Sequence, residues 1–268
     1  GIVIEDATVD KDGKPTATAG SQFVWIPVGT ITKADGTETT ITLERYDFDY
    51  STGAESVYSG SYIVEEDANN PSTLKNIEGK SIAKNITNFK NSVKANGGYY
   101  IGRYEARTTT PRNDIGNDLT QITEKGTDQV YNYVKQQQAA QLAQGMYTSN
   151  NFTSDLMNSY AWDTATLFLQ NCGTNKKYSI KNSFNSSLLQ TGTNALRETK
   201  KIDKQCNVYD MASNVGEWTT ETSTSHSNFP CVRMGGDYND ISDITSNRIS
   251  SRTSNSNDYV GFRPLLYL

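Results

Sequence analysis

The sequence has little of the side-chain chemistry that most enzyme centres need. It contains one histidine, His226, and three cysteines among its 268 residues. One histidine excludes most histidine-based metal sites and disfavours a Ser-His-Asp or Cys-His nucleophile. Chemistry at neutral pH would depend on cysteines, carboxylates or a bound cofactor, so an enzyme is not the first expectation.

Long apolar runs and an excess of basic residues are also missing. No run of about 18 apolar residues is present, and the mean hydropathy is -0.65, so we predict no membrane-spanning segment. The chain contains 25 basic and 30 acidic residues, which give a net charge of -5. Because binding to phosphates needs a basic surface, this balance argues against nucleic acid as the main partner.

The three cysteines leave two interpretations open. Cys206 and Cys231 bracket a compact stretch of the chain, which is compatible with a disulfide between them and an oxidising compartment. Three reduced, half-buried thiols are the alternative, because spacing alone does not determine connectivity.

Local patterns predict an α+β fold, loop-rich, with about two main helices and short antiparallel strands. Residues 1–20 are interpreted as an N-terminal arm, or the remnant of a missing upstream segment, because the chain does not begin with Met. Residues 21–268 form a single predicted domain. Buried strands are expected at 23–28 and 99–106, and helical patterns at 82–93, 128–144 and 154–171, the last capped by Thr153. Gly97 and Gly98 are expected to stop the first helix.

Three segments in order carry a more specific pattern. They are GYYIGRYEA at 98–106, VYDMASNVGEWT at 208–219, and RMGG at 233–236 followed by GFR at 261–263. Together they resemble the formylglycine-generating enzyme (sulfatase-modifying factor) family. The resemblance extends over most of residues 21–268 and implies a C-type-lectin-like fold.

The second segment contains a candidate calcium site. Its members offer two carboxylates and two main-chain carbonyls, the hard oxygen ligands that suit Ca²⁺, and in the resembling family this motif holds calcium. The residues are Asp210, Ser213, Val215 and Glu217. The alternative is a local hydrogen-bonded turn beside Trp218 as a core anchor. The family usually has a large aromatic residue where this chain has Gly216. No other cofactor is expected.

The resemblance to the enzymes fails at their reactive cysteines, which follow the Gly-Gly pair. Aligning the chain on that pair and on Arg248 places the two positions at Asp240 and Thr245. Neither residue is a thiol, and Cys231 lies before the pair. Since a thiolate performs the oxidation or binds copper, we expect no catalysis of this type.

The segment that replaces the active site has a biased composition. Residues 237–259, DYNDISDITSNRISSRTSNSNDY, contain no Lys, Glu, Gln, Met or Trp, types that make up about a sixth of the chain. This bias resembles the variable proteins of diversity-generating retroelements, which have the same lectin-like fold. Their adenine-directed mutagenesis of Asn codons yields mainly Asn, Asp, Ser, Thr, Tyr, Ile and Arg. The resemblance implies a fixed frame of Gly235-Gly236, Arg248, Arg252 and Gly261-Phe262-Arg263.

The predicted binding face comprises two groups of residues. Those where the enzymes have their active-site loop are Tyr238, Asn239, Asp240, Ser242, Asp243, Thr245 and Ser246. The second group follows from the rule that alternate residues of an extended segment face the same side. Its members are Ser250, Asn255, Asn257 and Tyr259. Tyr, Ser and Asn suit recognition, since Tyr provides contact area at low entropic cost and Ser and Asn provide adaptable hydrogen bonds. A solvated loop is the alternative.

The sequence therefore predicts a non-catalytic protein that binds a ligand or receptor through a hypervariable C-terminal face diversified by a retroelement. Its expected partner is an unidentified macromolecular or cell-surface ligand, protein or glycan. By resemblance it works outside the cell, on a bacterial surface or a phage particle. Two alternatives stay open: a divergent formylglycine-generating-type oxidase, and a structural module of a surface or virion.

Overall fold

The computed structural model describes most of the chain, and the described residues form three helices and eighteen short strands. The described residues are 2–5, 20–67, 77–116, 119–125, 128–147, 151–180, 203–225, 227–238 and 244–268. The helices are α1 (Ile86–Asn96), α2 (Gln136–Gly145) and α3 (Ser159–Cys172). The strands are β1 (Val3–Glu5), β2 (Gln22–Pro27), β3 (Gly29–Thr32), β4 (Glu38–Ile41), β5 (Tyr46–Phe48), β6 (Glu55–Val57), β7 (Ile63–Val64), β8 (Gly98–Gly102), β9 (Arg107–Thr108), β10 (Gln129–Val130), β11 (Thr153–Leu156), β12 (Lys204–Gln205), β13 (Val208–Tyr209), β14 (Gly216–Ser223), β15 (Cys231–Met234), β16 (Arg248–Ser251), β17 (Val260–Phe262) and β18 (Pro264–Tyr267).

The first sheet joins both ends of the chain. Its order is β1-β2-β8-β18-β11, and all its pairs are antiparallel. Residues 3–5 of the predicted arm pair with residues 22–24, so this part of the arm is an edge strand of the sheet. The apolar run at 23–26 forms β2 as predicted, because its side chains fill the space between this sheet and the core.

The second sheet brings the later sequence motifs together. Its order is β16-β15-β14-β17, with β7 also paired to β14. β14 and β17 run parallel, and their register places Glu217 opposite Gly261 and Trp218 opposite Phe262. β16 pairs antiparallel with β15 and lies at one end of the order, so it brings part of segment 237–259 to the edge of this sheet.

Helix α1 confirms the sequence-based prediction at its C-terminal end. The Asn85 side chain caps its start by accepting a hydrogen bond from the Asn88 amide at 2.8 Å. Gly97 follows its last residue in the left-handed conformation, with φ 76°. Few residues other than glycine adopt this conformation without strain, so the glycine ends the helix as expected.

All three helices begin later than predicted, α1 at Ile86 instead of residue 82. Helix α3 is capped by Asn158 rather than Thr153, because Thr153–Leu156 pairs with β18 as a strand. Helix α2 begins at Gln136 because Gln129 and Val130 pair with β9. In both places, pairing with a strand distant in sequence replaces the first turns of a locally plausible helix.

The buried residues form two clusters, each containing a tryptophan whose indole nitrogen is hydrogen-bonded. Trp162 of α3 lies in the first cluster and donates to the Thr245 carbonyl at 2.9 Å. Trp218 of β14 lies in the second and donates to the Val134 carbonyl at 2.7 Å. Since buried indoles need a partner, both tryptophans are fixed in position as well as buried.

The disulfide considered between Cys206 and Cys231 is wrong, because all three cysteines are free thiols. Cys206 packs against the first buried cluster, whereas Cys231 belongs to the second. These two cysteines pack in different parts of the core, so they form no disulfide although they are close in sequence.

Among the helices that the structure describes, none is long and apolar enough to span a membrane.

Candidate functional site

Two arginines, Arg248 within segment 237–259 and Arg263 just after it, bind buried carboxylates of the core. Arg263, completely buried, binds both carboxylate oxygens of Glu217, with its Nη2 at 2.6 Å and its Nε at 3.1 Å. Arg248 pairs with Asp163 and, through its Nε at 3.1 Å, with Glu221. The frame roles predicted for these two arginines therefore have a physical basis in buried ion pairs.

Gly235, the first residue of the Gly-Gly pair in the predicted frame, has a backbone conformation and surroundings that favour glycine. Gly235 has φ 83°, and a Cβ atom there would lie 2.6 Å from the Met211 carbonyl oxygen. Its amide also donates to the Asn247 carbonyl at 3.3 Å. A side chain at this position would push the start of segment 237–259 away from the core.

The predicted calcium ligands are brought together, and the carboxylate of Glu217 is bound by an arginine. Asp210, Ser213, Val215 and Glu217 are all buried. Arg263 binds both oxygens of Glu217. The Ser213 hydroxyl donates to Asp203 at 3.1 Å.

Two further contacts complete this network. The Val215 amide donates to Glu105 at 3.1 Å, and Arg107 lies 3.8 Å from a carboxylate oxygen of Asp210. In the part of the chain that the structure describes, no group of three or more His, Cys, Asp or Glu side chains is arranged to hold a metal ion. Arginines thus supply positive charge beside the two carboxylates, and calcium binding by the four residues stays a prediction.

Burial raises the pKa of several carboxyl groups in this network. It raises the pKa values of Glu105 and Glu124 well above their usual range, and that of Asp203 to about 7. The neighbouring Asp210 charge also raises the pKa of Asp203. These groups favour their protonated forms because burial removes the water that stabilises a carboxylate.

The raised pKa of Asp203 predicts that the folded protein loses stability as the pH rises. The folded state holds a proton up to about pH 7, whereas the unfolded state releases it near the ordinary value of 3.8. Between these values the native state binds more protons, so stability falls as pH rises. For Asp203 the expected loss between pH 5 and pH 8 is about 2 kcal/mol.

Urea unfolding at several pH values checks this prediction. Asp203→Asn should reduce the slope of stability against pH. Asp35→Asn, a change at an exposed aspartate whose pKa is lowered by Thr37, should leave the slope between pH 5 and pH 8 unchanged. An Asp203→Asn protein with the full wild-type slope would contradict the assignment.

Two members of the predicted binding face form hydrogen bonds with the core, and the structure corrects one of them. Thr245 is completely buried, and its hydroxyl donates to the Tyr178 carbonyl at 2.8 Å. The Ser246 hydroxyl donates to the Ser179 carbonyl at 2.7 Å, as does its amide at 3.1 Å. Both residues attach the segment to the core. The prediction that Thr245 contacts a ligand is wrong because it has no exposed surface, whereas Ser246 is half-buried and its ligand contact stays a prediction. Four other predicted residues, Asn239, Asp240, Ser242 and Asp243, lie outside the described residues.

The remaining predicted residues lie close together, through direct hydrogen bonds, a shared pocket or a shared neighbour. The Asn257 side chain donates to the Tyr259 hydroxyl and to the Asn255 side chain, both at 2.8 Å. Asn255 and Asn257 line the same shallow pocket as Ser250. The Tyr238 hydroxyl donates to Asp258, which adjoins both Asn257 and Tyr259. The structure thus places these residues on one half-buried surface, which we call the tail face: Tyr238, Ser250, Asn255, Asn257 and Tyr259.

Gly216 makes room for an arginine that the sequence analysis did not select. A Cβ atom at Gly216 would lie 2.6 Å from Nη1 of Arg233. Arg233 forms an ion pair with Asp237 at 2.7 Å and lies over the Tyr259 ring, 5.3 Å from its centroid. The departure from a large aromatic residue thus gives Arg233 access to the tail face. The glycine at a position where the resembling family usually has a large aromatic residue was the sequence feature that could have pointed to Arg233.

Arg252 differs from the other arginines of the predicted frame, because it is exposed. Its guanidinium lies over the Phe229 ring at 5.2 Å from the centroid, and two shallow pockets meet beside it. Arg252 is therefore a surface residue next to the tail face, and its place in the fixed frame stays a prediction. No sequence signal pointed to Phe229.

Comparisons with known proteins give one structural likeness. No protein-family model and no curated protein matches the chain. Among solved structures, Treponema denticola variable protein 1 is similar, with a TM-score of 0.43 and 12% sequence identity. That likeness covers 93% of this chain and 97% of the other. The functional proposal rests on the geometry and composition of the site.

Proposed function

We propose that this chain is a non-catalytic binding protein, and that a retroelement diversifies segment 237–259 to change what the tail face recognises. One observation carries the proposal: residues of biased composition lie on a half-buried surface, and arginines within and after the segment attach it to buried carboxylates. Arg248 and Arg263 are tied to carboxylates of the core, whereas Ser250, Asn255, Asn257 and Tyr259 are only half-buried. Side chains on such a surface can change without removing a buried contact.

The cysteine chemistry supports a non-catalytic role. The pKa of the Cys231 thiol is raised by burial to about 11, and those of Cys172 and Cys206 are raised for the same reason. Because the thiolate is the reactive form, these thiols are poorly suited to oxidation chemistry at neutral pH. Turnover of a cysteine-containing sulfatase peptide, with or without copper, would contradict this part of the proposal.

By the same proposal the protein presents its tail face outside the cell, on a bacterial surface or a phage particle. Protease treatment of intact cells or particles tests this location. Cleavage of the protein without lysis supports exposure, and full protection until lysis contradicts it.

Sequencing the encoding locus from many cells of one population tests diversification. We expect substitutions at adenine positions of codons 237–259, with codons 98–106 as the internal control. Within the segment, codons for the tail face should vary, whereas Thr245 and Arg248 should not, because both side chains hold the segment to the core. Equal variability in segments 237–259 and 98–106 would overturn the proposal.

A further inference from the structure

Beside the tail face, two concave surfaces meet at Arg252. They have volumes of about 380 and 360 Å³, and both are lined by Arg252 and Ser254. The first is also lined by Ser250, Asn255 and Asn257 of the tail face. The second extends from Thr253 towards Ile77 and Asn228. We call this double pocket the Arg252 groove.

Among the described residues, Arg252 gives the groove its one positive charge, and no carboxylate there compensates it. It is the one charged residue among the described residues that line either pocket. Although the whole chain has a net charge of -5, no carboxylate of the described residues lies within ion-pair distance of this guanidinium. The Phe229 ring lies against the guanidinium and limits its freedom. A planar guanidinium held in this way is suited to bind a carboxylate through two parallel hydrogen bonds.

The rest of the groove favours a ligand rich in hydroxyl groups. Its lining is mainly serine hydroxyls and asparagine amides, which both donate and accept hydrogen bonds. Ser256 adds a buried hydroxyl that has no hydrogen-bond partner among the described residues, so this wall has unused hydrogen-bonding capacity. Peptide interfaces depend instead on aromatic or apolar anchors in pockets, and the one aromatic ring here, Phe229, is covered by Arg252.

We infer that the Arg252 groove binds an acidic carbohydrate, with a sugar carboxylate on Arg252 and sugar hydroxyls on the serine and asparagine side chains. This inference rests on the proposed binding function and specifies its ligand class. Residues 250–257 belong to the biased segment. Within it, Arg252 is part of the predicted fixed frame and keeps the carboxylate contact, while changes at the other residues alter which sugar hydroxyls are recognised.

Calorimetric titration with a panel of carboxylated oligosaccharides tests the inference. Oligogalacturonate, a hyaluronan fragment and sialyllactose are the probes, and the methyl ester of each is its uncharged match. We expect at least one acid to bind, and its methyl ester to bind about ten- to a hundredfold more weakly, since charge-assisted hydrogen bonds contribute roughly 1.5–3 kcal/mol.

Arg252→Gln should weaken binding of the acid by the same factor and leave the melting temperature unchanged, because the side chain is exposed. Lys94→Gln removes the same charge from an exposed position of α1 and should leave binding unchanged. Arg252→Lys should restore only part of the affinity, because an ammonium lacks the planar fork.

Three results would overturn the inference: no carboxylated sugar binds, acid and ester bind equally, or Arg252→Gln binds like the wild type. Tighter, Arg252-dependent binding of polyglutamate would also overturn it and identify an acidic polypeptide instead. The sequencing experiment separates the two proposals. A diversified locus without sugar binding removes only the ligand class, whereas an invariant locus with Arg252-dependent sugar binding removes only diversification.

Discussion

Replacing Arg263 by methionine is expected to lower the free energy of unfolding by about 3–5 kcal/mol. The guanidinium is completely buried and donates to both oxygens of Glu217. It also donates to the carbonyls of Gly102 and Tyr209, both at 2.8 Å. Without it, Glu217 becomes a buried charge with no partner, close to the Asp210 carboxylate.

Urea unfolding of three variants at pH 7 measures this effect. Arg263→Met alone should show the full loss, and Arg263→Met with Glu217→Gln should recover part of it, because the unpaired charge is then absent. Arg252→Met changes an exposed arginine in the same way and should alter stability by less than about 0.5 kcal/mol. A similar loss for Arg252→Met and Arg263→Met would contradict the assignment.

Replacing Arg248 by methionine is expected to cost a similar amount, about 3–5 kcal/mol, and the loss should depend on pH. Arg248 contacts Asp163 and Glu221, which are themselves completely buried. Burial raises the pKa of Asp163 to about 7 even though Arg248 lowers it. Without the arginine this pKa rises further, so near pH 5 Asp163 is protonated and the cost of the change is smaller.

Unfolding curves of Arg248→Met at pH 5 and pH 8 test this dependence. The loss of stability should be larger at pH 8, where ionising Asp163 puts an unpaired charge in the core. Arg248→Met combined with Asp163→Asn should reduce the difference between the two pH values. A loss equal at both values would show that Arg248 acts through packing alone.

The local sequence predicted elements whose boundaries depend on local chemistry. Helix α1 ends at Gly97 because only a few residue types adopt its positive φ. Most of the run predicted at 23–28 forms β2, with Phe23, Val24 and Ile26 buried and Trp25 half-buried. The N-terminal turns expected for α2 and α3 were wrong, because residues 129–130 and 153–156 pair with strands distant in sequence. Strand pairing between residues distant in sequence produces no pattern in the local sequence, so local periodicity does not predict it.

For the binding site, the sequence alone determined which side chains are present. Asp240 and Thr245 occupy the positions of the reactive cysteines in the resembling enzymes, and residues 237–259 have a biased composition. Tertiary structure decided which of these side chains face outward: Thr245 is buried against Tyr178, while Arg252 lies exposed on Phe229. It also paired Arg263 with Glu217, 46 residues earlier, in the place where calcium was expected. Exposure and charge pairing depend on contacts between distant segments, and those contacts exist only once the sheets have formed.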